Sequence, residues 1–98
     1  MTFEDFCDSL TDSRPPAKLS NALKALWAER NADWDEAHEL VQEETGKDAA
    51  WVHAYLHRKE GDLGNAGHWY ARAGKPQSRA SLDDEWEEIV ESLLTSRR

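Results

Sequence analysis

Three of the four histidines fall close together, at His53, His57 and His68. His53 and His57 are four apart, so on a helix they share one face. Imidazoles paired in this way are ligands that suit zinc. The catalytic form of such a pair carries Glu directly after the first His, and Ala54 stands there instead. Two imidazoles also need further ligands, which here would have to come from His68 or Glu60. The group is therefore read as a polar histidine cluster, hydrogen-bonded within the fold or holding a metal, and no metal or other cofactor is assigned.

A second constellation lies on the same stretch. Trp51, Tyr55 and Arg58 recur at i, i+4 and i+7, with Lys59 beside them. Aromatic residues and Arg are the types enriched at binding hot spots. Two cations on an otherwise acidic chain would suit a carboxylate or an acidic peptide. Trp51, Tyr55, Arg58 and Lys59 are accordingly the expected partner-binding face, the alternative being that the aromatics only pack in the core. On this reading Arg58→Glu leaves helicity intact and abolishes partner capture.

Other chemistry is thinner. Cys7 sits in a Phe-rich helical stripe beside Asp8, and an acidic neighbour raises a thiol pKa, so it reads as a small core hydrophobe. The glycines follow no strand and form no phosphate loop. Gly64 and Gly67 sit in the first turns of one helix, where close helix packing would explain them. The acidic runs at Asp35-Glu36 and Asp83-Asp84-Glu85 lie at helix starts, where the helix dipole favours them.

The elements that must position these residues are helical. Val and Ile number only four, at Val41, Val52, Ile89 and Val90, and strands usually want more β-branched residues. Thr2 and Asp5 resemble a capping box before Phe3, Phe6, Cys7 and Leu10. Pro15 and Pro16 break that first helix and can open the next, which carries Leu19, Ala22, Leu23, Leu26 and Trp27. Asp33 caps a third helix, closed by Gly46 as a left-handed cap. Asp48 caps a fourth ended by Gly61, and Asp62 a fifth ended by Gly74. Ser81 and Asp84 open a last helix with Trp86, Ile89, Val90, Leu93 and Leu94 on one face and Arg97 and Arg98 at its end.

Composition bounds the classes of function. Ninety-eight residues make one domain, and a net charge of −8 argues against nucleic acid, which needs cations at the phosphates, and against an anionic membrane surface. A lone Cys provides no intrachain disulfide, the acidic N-terminus is no signal peptide, and no apolar run reaches the ~20 residues of a membrane span. A cytoplasmic location is expected.

A shift of 29 residues lays one pair of helices over the next: Ala25 on Ala54, Asp33 on Asp62, Ala37 on Ala66 and Val41 on Tyr70. With Ala54, Gly61-Asp62, Ala66, Tyr70 and Ala73, the second copy resembles the tetratricopeptide helical hairpin. Ala25, Asp33, Ala37 and Val41 do so in the first, with Ala32 in the glycine's place. The family's early Trp, Leu and Tyr fall on Ala50, His53 and His57, its closing Pro falls on Ser78, and the period is shorter than the family's usual 34. The resemblance, over about residues 19–77, implies a groove lined by the first helix of each hairpin and a protein or peptide partner.

The expected architecture is all-α, about six helices in one domain. It has an N-terminal helix over 2–10, hairpins over 17–46 and 48–75, and a capping helix over 81–97. The expected function is a non-enzymatic interaction module, binding a peptide or partner surface through the groove face of its second and fourth helices. The alternatives are a small histidine-using or metal-dependent enzyme centred on His53, His57 and His68, and a homodimer or accessory subunit paired through the last helix.

Overall fold

The computed structural model describes residues 1–95; Arg97 and Arg98, expected to end the last helix, lie outside the described residues. Among the described residues the fold is all-α, with six helices: α1 (Phe3–Asp8), α2 (Asn21–Arg30), α3 (Trp34–Gln42), α4 (Lys47–Lys59), α5 (Leu63–Ala73) and α6 (Leu82–Thr95). A single 3-10 turn, Ser9–Thr11, follows α1.

Local chemistry accounts for most helix ends. Thr2 and Asp5 exchange both bonds of a capping box, satisfying two amides that a helix start leaves orphaned. Ser20, Asp33, Asp62 and Ser81 each accept from the amide three residues on. Two helix ends differ from expectation. α2 starts at Asn21 and not at Ala17, because Ser20 and not the prolines supplies the cap. Gly46 has an extended φ of −77° and ψ of 163° and stands immediately before α4, so it opens that helix instead of closing α3, and Asp48 lies inside the first turn. Gly74 is left-handed as expected, at φ 72°.

The two hairpins turn by the same hydrogen bonds. After α2, Ala32 N–H donates to Glu29 and Asp33 N–H to Ala28; after α4, Gly61 N–H donates to Arg58 and Asp62 N–H to His57. The hinge residue is left-handed in both, Ala32 at φ 63° and Gly61 at φ 90°. Ala25, Ala37, Ala54 and Ala66 are all buried, and these small side chains let the paired helices approach closely. Gly64 and Gly67 have no such role. A methyl group at Gly64 would meet nothing, and at Gly67 only the Gln77 side chain from the following loop.

At the centre stands α4, which packs against α2, α3, α5 and α6. Residues 49–57 are buried without a break, as expected of a helix covered on all sides. Trp86, Ile89, Val90 and Leu93 of α6 are buried against this core, so the last helix does cap the array. Its indole also donates to Leu26 O across 3.1 Å. Trp27 and Trp34 likewise donate to main-chain carbonyls, of Ser9 and Leu56, which lets a large apolar ring be buried without stranding its N–H.

Candidate functional site

Of the four residues expected to face a partner, the two aromatics are buried, Arg58 is half-buried and Lys59 is exposed, and the two cations are paired with buried acids. Trp51 and Tyr55 are buried. The Tyr55 hydroxyl donates to Glu29 Oε1 at 3.1 Å, and Lys59 pairs with the other oxygen of the same carboxylate. Arg58 donates to Glu85 Oε1 at 2.7 Å, and the Tyr70 hydroxyl donates to Glu85 Oε2 at 2.5 Å. Glu29 and Glu85 have side chains only 1% exposed, and a buried carboxylate is tolerated only when paired and hydrogen-bonded. Burial first, and the adjacent carboxylates second, push both tyrosines well above the usual phenol range, so both hydroxyls keep their protons. Arg58 and Lys59 thus neutralise two buried acids supplied by α2 and α6. The expected groove face of α4 is covered by the protein's own last helix.

The histidines gather differently from expectation. The ring that joins His53 and His57 is His38 of α3, not His68. One ring nitrogen from each of His38, His53 and His57 lies within 4.8 Å of one from each of the others. Nε2 of His53 and Nε2 of His38 are 3.0 Å apart, and the His53 and His57 rings stack with centroids separated by 4.8 Å. His68 is exposed and touches Trp69 edge-on. It sits near enough for its charge to disfavour protonation of His53, yet takes no place in the cluster. The spacing of His53 and His57 on α4 was legible in the sequence. His38 was not, because nothing local marks it: only the packing of α3 on α4 brings it within reach.

The surroundings fix the rings in place. Trp69 stacks on His53 at 3.9 Å and Trp34 on His38 at 5.0 Å, with Trp34 edge-on to His57. Asp33 caps α3 one residue before Trp34, so the cap that starts the helix also sets this wall. His57 Nδ1 meets Glu60 Oε1 at 2.5 Å, and its Nε2 lies 3.4 Å from the side-chain amide of Asn65.

Burial, and then the neighbouring imidazoles His38, His57 and His68, press the pKa of His53 down to about 4. His38 is also lowered, by burial first and by His57 next, with Glu60, Asp35 and Glu39 opposing. At neutral pH these two rings are uncharged and carry the lone pairs a metal ion requires. His53 Nδ1 is buried with no hydrogen-bond partner, an arrangement that costs roughly 1–3 kcal/mol. Cys7 lies apart in α1, half-buried, its thiol pKa raised by burial and then by Asp8, which leaves it a poor nucleophile.

Comparison with protein-family models, with curated protein sequences and with solved structures finds no match for the chain. The likeness to tetratricopeptide hairpins therefore rests on the residues that carry it. Among the described residues no helix is long and apolar enough to cross a membrane.

Proposed function

We propose that the protein binds one divalent transition-metal ion through His38, His53 and His57. The observation that carries this reading is the convergence of three imidazoles from two helices, their ring nitrogens mutually within 4.8 Å. Two nitrogens on one tetrahedral zinc ion stand about 3.3 Å apart, given bonds of about 2.0–2.1 Å. The 3.0 Å between His38 and His53 needs little adjustment to reach that separation. Imidazole donors favour zinc, copper or nickel over magnesium and calcium, which prefer oxygen. An ion here would join α3 of the first hairpin to α4 of the second, and so act as a clamp between repeats. An interaction role of the kind expected from the sequence would need a surface other than the Trp51, Tyr55, Arg58 and Lys59 face.

Isothermal titration with zinc at pH 7.5 tests the reading. One equivalent should bind, His38→Ala and His53→Ala should each weaken it at least tenfold, and His68→Ala should leave it unchanged. An excess of zinc at a hundred times its dissociation constant should also stabilise the fold by about 2.7 kcal/mol. Absence of uptake, or equal damage from His68→Ala, would reject the site.

A further inference from the structure

Resting on that reading, we infer that Glu60 is the fourth ligand, so that the site is three imidazoles and one carboxylate. Glu60 follows His53 and His57 at the i+7 and i+3 positions, which continues one stripe down α4 to its C-terminal end. Its Oε1 already lies 2.5 Å from His57 Nδ1, and its charge extends to His38 on the neighbouring helix. The other carboxylate close to His57 is Asp62, which also lies within 4.8 Å of the same pair. Asp62 is engaged elsewhere, capping α5 by accepting from Asn65 N–H. The Glu60 side chain, exposed at the rim, is engaged by His57 and not by a helix amide.

Charge gives an independent reason. Three neutral imidazoles leave a bound ion at +2 in a largely buried setting, and an uncompensated buried charge is costly. One carboxylate halves it.

The proton balance also closes. A proton now lies between His57 Nδ1 and Glu60 Oε1. When both atoms turn to the ion, that proton moves to Nε2 of the same ring. Nε2 faces the Asn65 amide at 3.4 Å, and the oxygen and nitrogen of such an amide exchange places by a simple turn. Asn65 Oδ1 then accepts the Nε2–H and holds the tautomer, a second layer that metal-bound imidazoles usually have.

Cobalt(II) titration of the full chain, read by visible absorption, tests the assignment, with the diamagnetic zinc form used for nitrogen chemical shifts of the His57 ring. The wild type should take up one equivalent with the intense bands of four-coordinate cobalt, and the His57 proton should move from Nδ1 to Nε2. Glu60→Ala and the isosteric Glu60→Gln should each weaken binding about tenfold or more and lose band intensity as water enters. Glu60→Asp should recover part of the affinity, and Asp62→Asn should leave the spectrum unchanged. Circular dichroism should show all of these variants folded, since Glu60 and Asp62 are at the surface. If uptake is abolished by His53→Ala but both Glu60→Ala and Glu60→Gln keep the wild-type affinity and spectrum, Glu60 is not a ligand and the three-histidine site stands. No uptake by the wild type rejects both.

Discussion

The two helical hairpins turn alike and differ in the side chains they carry on either side of the turn. Their turns match bond for bond, and Asp33 and Asp62 cap their second helices alike. At equivalent positions the side chains diverge: Lys24 stands where His53 does, Ala28 where His57 does, and Glu29 where Arg58 does. The divergence is not random in space. Glu29 and Arg58 are each satisfied by an opposite charge from another element, Lys59 and Glu85 respectively. The candidate site, in turn, is assembled across the repeat, from α3 of one copy and α4 of the next. A repeated scaffold thus holds the geometry, and the departures from the repeat supply the chemistry.

Breaking the charge complement should show this most strongly. Arg58→Glu would bring a second carboxylate against Glu85 in place of its cation, and removing one partner of a buried pair typically costs roughly 3–5 kcal/mol. Urea denaturation should find the variant largely unfolded or severely weakened, in contrast to the intact helicity expected when Arg58 is read as a surface residue. Adding Glu85→Arg should recover part of the loss. A stable, fully helical Arg58→Glu protein would mean that α6 is not anchored through this pair.

Acid should separate the hairpins next, because His53 and His57 have Lys24 and Ala28, not histidines, at the equivalent positions of the first hairpin. His53 is held near pKa 4 when folded, against an ordinary value of 6.5. Between those values the unfolded chain binds the extra proton and the folded chain does not, so stability must rise with pH in this window. Stability present above about pH 6.5 should therefore fall as pH drops toward 4, by roughly 3 kcal/mol if the full shift is expressed. The groups acting on His53 besides burial are the imidazoles His38, His57 and His68, all of which disfavour its protonated form. Thermal melts in metal-free buffer between pH 7.5 and 4 check the slope, and a His53→Gln variant should flatten it.

The smallest effect lies at the hinges themselves. Ala32 and Gly61 occupy the same left-handed position, yet only glycine escapes the steric penalty, about 1–2 kcal/mol for other residues. Ala32→Gly should stabilise the first turn by up to about 1 kcal/mol, part of the gain being offset by added freedom in the unfolded chain. Gly61→Ala should cost about as much as Ala32 now does, roughly 1 kcal/mol or somewhat more. Paired melts of the two variants give the sign at each hinge, and equal signs would show that the turns are not equivalent.

Much of this protein follows from local sequence alone. Caps at Thr2, Asp33, Asp62 and Ser81, the left-handed Gly74, the apolar spacing of α6 and the repeat of Ala25 and Ala37 on Ala54 and Ala66 each act within a turn or two of chain. Short-range hydrogen bonds and periodicity therefore suffice to predict them. Gly46 escapes the same logic, since a glycine between two helices serves as readily before the second as after the first. What faces what across helices is a different matter. That α6 covers the Trp51 and Tyr55 face, with Arg58 and Lys59 drawn onto buried acids, depends on Glu85, which reads in the sequence as a helix-start acid, and on Glu29, which nothing local marks. That His38 and not His68 completes the imidazole cluster depends on which side of α4 the neighbouring helices occupy. Helical periodicity ranks residues around one axis, but the rotation and contact of two axes is settled only when all the apolar faces are buried together.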